Sequence, residues 1–215
     1  MKVKELLVLE GLTFGYADTP LFEDLDLDFL EGSIVLLRGK NGTGKTTLCD
    51  IVAGALKADV RRCLWRGEEV DQEDLRLVVA YASQEPEFFP ALSGMENLNL
   101  LQLLAEEPSE YLEKAVTTSL DLGLTRKDLE RKQAGNYSGG MRQKLWIAAQ
   151  LAKSRDFVIL DEPFTSLDDE TINTVSDMLK RDPRTRLLVS HQIPEGIDFA
   201  DIIDLLGEDK EEDEG

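Results

Sequence analysis

An α/β fold with an all-helical insert is predicted by three features of this sequence. Residues 33–37 (SIVLL) form a continuous apolar run, suited to a strand buried on both faces, and lead through a glycine-rich turn into a helix over about 45–56. Apolar strand signals return at 157–160, 187–190 and 202–206, with a helical stretch among them. From about residue 85 to 136 the texture turns leucine-rich and helical. Strands alternating with helices, interrupted by helices alone, give the class and its insert.

Before residue 33 the pattern has period two. Leu6, Val8, Leu12 and Phe14 sit with polar partners, and Phe22, Leu25, Leu27 and Phe29 follow a turn at Asp18-Thr19-Pro20. That alternation predicts half-buried antiparallel strands. Short strands are expected at 63–65 and 78–82. Within the insert, Ser93-Gly94-Met95-Glu96 reads as a capping box opening a leucine-rich helix. Residues 109–122 read as a second helix broken by Gly123, and 125–132 as a third, short and charged. Further on, Asp168 is the expected N-cap of a helix with Asp169 and Glu170 in its first turn and Lys180-Arg181 in its last. This order of charges matches the helix dipole, and Pro183 ends the helix. The sequence has no internal repeat.

The 215 residues suffice for a sizeable core, and 42% hydrophobic with 31% charged residues is a globular composition. The charge balance is less ordinary: 43 Asp and Glu against 24 Lys and Arg give −19. Residues 208–215 hold six carboxylates and one lysine, and read as a solvated, disordered acidic tail. The rest of the chain still carries −14. Such a field repels phosphate backbones and anionic headgroups, which argues against nucleic-acid binding and direct lipid binding. No apolar run reaches the length of a membrane span. Glu5 comes too early for a secretory signal, and Cys49 and Cys63 lack metal-ligand or CxxC spacing. A reduced, cytosolic protein is expected, with Cys49 as plain core.

Gly39-Lys40-Asn41-Gly42-Thr43-Gly44-Lys45-Thr46 fits GxxxxGK[ST] between a buried strand and a helix. Its glycines, Gly39, Gly42 and Gly44, permit positive φ and let backbone N–H groups, Asn41's among them, face phosphates. Lys45 can reach the β- and γ-phosphates, and the Thr46 hydroxyl suits Mg²⁺. Thr47 adds a hydroxyl at the helix N-terminus, where anions are favoured. Residues 157–160 end in the adjacent carboxylates Asp161 and Glu162, which strand alternation points apart. Asp161 would hold Mg²⁺ through water, and Glu162 would polarise a water for in-line attack on the γ-phosphate. Alone, that stretch is an acidic turn after a strand; its meaning comes from the phosphate loop.

Tyr137-Ser138-Gly139-Gly140-Met141-Arg142-Gln143 resembles the signature motif of the ATP-binding subunits of ABC transporters, with Tyr for the usual Leu and Met for the usual Gln. A serine and two glycines before a helix make an anion site of exposed N–H groups, although by themselves they are also simply a capped helix start. The resemblance extends over about residues 6–206. It implies that Gln84 is the glutamine that touches Mg²⁺ and the attacking water. It implies that Ser166-Leu167-Asp168 crosses a dimer interface, placing Asp168 at the nucleotide. Tyr16 falls where the family stacks an aromatic on adenine; its other reading is a strand-end tyrosine packing a hairpin. His191, the one histidine, falls where the family places a switch histidine, able as a neutral imidazole to bridge the γ-phosphate and the water held by Glu162. Phe88, Phe89 and Pro90 fall near the family's permease-docking groove and are expected to be exposed. Arg142 and Lys144 read as solvated helix-face charges.

What the resemblance implies is a RecA-like P-loop core with an antiparallel β subdomain (1–84 and 137–207), an α-helical subdomain (85–136), and the tail. It further implies ATP and Mg²⁺ as ligands, and a homodimer with each ATP between one copy's phosphate loop and the other's signature. ATP closure and hydrolysis-driven opening would power a separately encoded membrane permease from the cytoplasmic face. Residues 138–142 and 161–165 are similar to those of compact exporter ATPases, including the type serving haem export. A soluble ABC-type ATPase of a cytosolic assembly or repair complex is the alternative.

Overall fold

The computed structural model describes residues 4–17, 19–191 and 193–205; the acidic tail and Asp18 of the expected turn lie outside these. Strands β1 (Glu5–Tyr16) and β2 (Thr19–Leu30) pair antiparallel. β2 shows the expected alternation, with Leu27 and Phe29 buried and Asp26 and Asp28 exposed. β1 departs from it. Leu6, Leu7, Val8 and Leu9 are all buried, and Leu6, Leu7 and Leu9 join the core shared with α1 and the parallel sheet.

Next come β3 (Ile34–Gly39) and α1 (Lys45–Val52). α1 stops short of the expected residue 56. Gly54 turns the chain at φ 72°, where a Cβ would stand 2.7 Å from the Gln72 carbonyl oxygen. β4 (Arg62–Trp65) and β5 (Glu68–Glu69) complete an antiparallel sheet of order β2-β1-β4-β5. A 3₁₀ helix over Gln72–Leu77, which carries no strong sequence signal, leads into β6 (Val79–Ala82).

The helical stretch follows. α2 (Gly94–Leu104) starts at the predicted capping box: Ser93 Oγ accepts from the Glu96 amide, and the Glu96 carboxylate accepts from the Ser93 amide. α3 (Glu110–Asp121) ends at Gly123, which sits at φ 86°. α4 (Arg126–Arg131) is capped in the same reciprocal way by Thr125 and Asp128. α5 (Gly139–Ala152) then returns the chain to the sheet at β7 (Phe157–Asp161). α6 (Asp169–Arg181), capped by Asp168, separates β7 from β8 (Thr185–Val189), and β9 (Asp201–Leu205) closes the described fold.

The second sheet has the order β6-β7-β8-β3-β9, and every pairing in it is parallel. One face packs with α1 on the antiparallel sheet, where the Phe29 and Phe157 rings meet at 4.9 Å. The other face packs on α5 and α6 through Trp146, Ile147, Val175 and Leu179. α5 serves two layers, because its Leu145 and Ala149 join Leu98, Tyr111 and Leu129 in a core among the helices. Phe88 corrects an expectation. It is not an exposed aromatic: its ring stands edge-on to Trp146 at 5.3 Å and packs between both helical cores, while Phe89 is exposed. Among the described residues, no helix is long and apolar enough to cross a membrane.

Candidate functional site

All strands of a parallel sheet end on the same edge, which is where ligands bind in open α/β sheets. The phosphate loop follows β3, Gln84 follows β6, Asp161 and Glu162 end β7, and His191 follows β8. Three crossovers thus bring residues scattered over more than 150 positions to one rim. There they line a cleft of about 660 Å³ with Tyr16, Asn41, Gly42, Gly44, Thr46 and Thr47.

Within the loop, Gly44 adopts φ 91° as the N-cap of α1 and brings no side-chain cap, so the first amides of that helix keep no side-chain partner. Such an end attracts anions. A Cβ on Gly44 would stand 2.7 Å from Leu21, and one on Gly39 would stand 2.6 Å from the Leu205 carbonyl oxygen. Gly39 therefore lies beneath the cleft as packing for the loop. The Lys45 ammonium donates to the Gly39 and Lys40 carbonyls at 2.9 and 3.1 Å, lying inside the curve of its own loop.

Thr46 Oγ1 donates to Asp161 Oδ2 at 2.8 Å, joining the start of α1 to the end of β7. Asp161 is 2% exposed. Burial raises its pKa above the usual carboxylate range, the charges of Glu162 and Asp50 add to this, and the Thr46 hydroxyl and Lys45 oppose it. Glu162 turns the other way, with backbone in the left-handed region at φ 49° and its amide bonded to the Val189 carbonyl at 2.9 Å. Its Oε1 is buried and, among the described residues, accepts no hydrogen bond, although His191 Nε2 lies 3.4 Å away. Its other oxygen, Oε2, meets the His191 amide at 3.5 Å. A buried carboxylate oxygen without a donor is uncommon in native structures and is a free proton acceptor.

Gln84 lines the same cleft, exposed, one residue beyond a carbonyl of Ser83 that is held by Trp146 Nε1 at 3.2 Å. Tyr16 ends β1 at the cleft and packs on the hairpin. Its ring stacks edge-on against Phe14 of the hairpin at 5.1 Å, and its hydroxyl reaches Thr47 Oγ1 at 3.3 Å across the cleft mouth. Leu21 and Thr165 also line the cleft without having been singled out in the sequence. Thr165 lies in the acidic turn already noted, whereas Leu21 gives no signal beyond its place in the hairpin.

The signature residues lie elsewhere. Ser138, Gly140, Ser166 and Asp168 line a separate depression of about 690 Å³ that shares no residue with the phosphate cleft. Ser138 Oγ caps α5 by accepting from the Met141 amide at 3.2 Å. Gly139 opens the helix exposed, and a Cβ on Gly140 would press within 2.7 Å of the Ser166 carbonyl oxygen. Asp168 caps α6, accepting from the Thr171 amide and hydroxyl at 2.9 and 2.7 Å. Arg142 is exposed as expected. Lys144 is not a solvated charge: its side chain is 16% exposed and pairs with Asp168 at 3.2 Å, tying α5 to α6. Cys49 and Cys63 are both free and buried.

Over residues 22–165 the sequence matches the ABC transporter family. The chain belongs to that family. It is 35% identical over 190 residues to an uncharacterised ABC transporter ATP-binding protein, YtlC, of Bacillus subtilis, covering 86% of this chain and 72% of that one. It is 30% identical over 215 residues to the ATP-binding protein ZnuC of the B. subtilis high-affinity zinc uptake system, covering 91% and 88%. Among solved structures, an ATP-binding subunit of an ABC transporter superposes with TM-score 0.76 at 25% identity, covering 86% of this chain and 79% of that one. Two more share the fold at TM-score 0.74 and 20% identity. One is a dimeric ATP-binding cassette in a post-hydrolysis state with ADP and Pi, covering 87% and 88%. The other is a bacterial Atm1-family exporter with ATP bound, covering 88% of this chain and 35% of that one. The protein is thus an ABC transporter ATP-binding subunit and an ATPase, with the RecA-like P-loop fold of that family. The likenesses include a subunit of an uptake system and, in fold, an exporter.

Proposed function

We propose that two copies of the subunit close on two ATP molecules, each held by the phosphate loop of one copy and Ser138–Gly140 of the other. One observation carries this reading. The phosphate cleft and the signature depression are separate on a single chain, so one copy offers two half-sites. The neighbouring cassette is itself dimeric, in the fold that this chain shares.

In the phosphate half-site, Lys45 and the α1 amides hold the β- and γ-phosphates, and Tyr16 offers its face to the base. The Thr46 hydroxyl, the Asp161 carboxylate and the Gln84 amide oxygen are hard oxygen donors, which fit Mg²⁺. Such an ion, when bound, offsets the charge that develops on the phosphates. Glu162 Oε1 accepts a proton from water as the water oxygen bonds to Pγ, and the bond from Pγ to the β-phosphate oxygen breaks with its electrons leaving on ADP. His191 stands beside that water and orients it. In the other half-site, Ser138 accepts from the Met141 amide and so keeps its own hydroxyl proton free to donate to the γ-phosphate. Asp168 holds the end of the loop that faces the partner.

Closure and reopening of the dimer drive a membrane permease encoded separately, with the subunit peripheral on the cytoplasmic face and residues 85–136 acting as the helical subdomain that meets it. Residues 138–142 and 161–165 favour an exporter. Two experiments test the proposal. Ser138→Arg must abolish ATP-induced dimerisation while a single copy still binds nucleotide; unaltered dimerisation refutes the shared site. Tagged Glu162→Gln subunit, purified from detergent-solubilised native cells with ATP and Mg²⁺, must bring down a polytopic membrane protein in stoichiometric amount. Recovery with soluble partners alone refutes the permease and favours a cytosolic ABC ATPase.

A further inference from the structure

Of the two signature positions that depart from the family's usual residues, Tyr137 and Met141, the first is joined to the helical layer by a hydrogen bond that a leucine would not make. Tyr137 is buried, and its hydroxyl donates to the Asp128 carbonyl in α4 at 2.8 Å. The same oxygen abuts the first residue of α2: a Cβ added to Gly94 would lie 2.3 Å from it. Lys132, the C-cap of α4, places its ammonium 5.7 Å from the centre of the Tyr137 ring and 3.3 Å from Met141 Sδ. Met141 in turn donates its amide to Ser138 Oγ. Burial, with the Asp128 charge adding to it, pushes the Tyr137 phenol up to about 12, so it stays a donor at any working pH.

From this arrangement we infer that Tyr137 is a positioning residue whose hydroxyl fixes the start of α5, and with it Ser138, to α2 and α4. The inference rests on the reading of Ser138–Gly140 as the phosphate-facing half-site. The leucine usual at this position fills similar space but has no donor for Asp128, so the tether belongs to this chain's own variant of the motif.

The test is a double-variant cycle in the full-length subunit. Tyr137→Phe removes the one oxygen. Single-copy binding of a fluorescent ATP analogue must stay unchanged, while ATP-induced dimerisation of the Glu162→Gln background weakens about 2- to 13-fold, the range set by one hydrogen bond. In the catalytic background, kcat must fall with little change in KM. Gly94→Ala drives a methyl into the Tyr137 oxygen and must lower both thermal stability and turnover. Adding Tyr137→Phe to Gly94→Ala eases the clash, since the next atoms, of Leu129 and the Tyr137 ring, are 3.3 Å away and need give by only a few tenths of an ångström. The double variant must regain stability without regaining turnover, whereas a merely structural tyrosine would let the two recover together. Dimerisation and turnover at parental levels in Tyr137→Phe overturn the inference. If Ser138→Arg also dimerises normally, the fault lies in the shared-site reading, and the positioning role falls with it.

Discussion

Replacing Glu162 with glutamine probes the chemistry at its centre. The side chain keeps its length, so the left-handed turn at φ 49° and the packing around it need not change. What is lost is a buried carboxylate oxygen that, among the described residues, accepts no hydrogen bond and lies 3.4 Å from His191 Nε2. A positioned general base contributes roughly 10²- to 10⁴-fold, or about 3 to 5 kcal/mol of barrier. Nucleotide binding responds differently. Burial is the main cause of the raised Asp161 pKa, and the Glu162 charge adds to it, so removing that charge lets Asp161 ionise more readily. Binding should therefore hold or tighten, and ATP should trap a dimer. Phosphate release at saturating ATP and Mg²⁺, read beside nucleotide binding and light scattering, checks this. Turnover at the parental rate would show that Glu162 is not the base, and loss of nucleotide binding would show that the variant disturbs the loop instead.

Two further outcomes concern Phe88 and Asp168. Phe88→Ala removes an edge-on contact with Trp146 and should cost about 2 kcal/mol in urea unfolding, whereas Phe89→Ala, at an exposed site, should stay within about 0.5 kcal/mol; the reverse order would return Phe88 to the surface. Asp168 has its pKa drawn down to about 2 by the Thr171 hydroxyl first, then the Thr171 amide and Lys144. Its folded pKa lies below the unfolded value of about 3.9, so its contribution is complete above that value and disappears as pH falls through about 2. The stability gap between the parent and Asp168→Asn should be constant above about pH 4 and narrow towards pH 2; a gap that ignores pH refutes the cap.

The local devices of this protein are legible in consecutive residues. The capping boxes at Ser93 and Thr125 and the cap at Asp168 form from hydrogen bonds spanning three positions, so short-range sequence contains all their partners. The phosphate loop is similar: its curvature comes from glycines, and Lys45 bonds the carbonyls of its own loop. Other features needed tertiary structure because their partners are remote. Thr46 meets Asp161 across 115 positions, and His191 reaches Glu162 only because β7 and β8 run side by side and end together. Burial also depends on neighbours rather than on pattern. Leu7 and Leu9 are covered because the parallel sheet and α1 pack against β1, and Phe88 is half-buried because α5 carries Trp146 to it. Lys144 read as a solvated charge until α6 brought Asp168 alongside. The sequence by itself determined which residues can turn, cap and bind phosphate, since these are properties of the side chain and its immediate backbone. The order of strands and helices decided which of them meet, because a parallel sheet gathers its strand ends on one edge however far apart they lie in the chain.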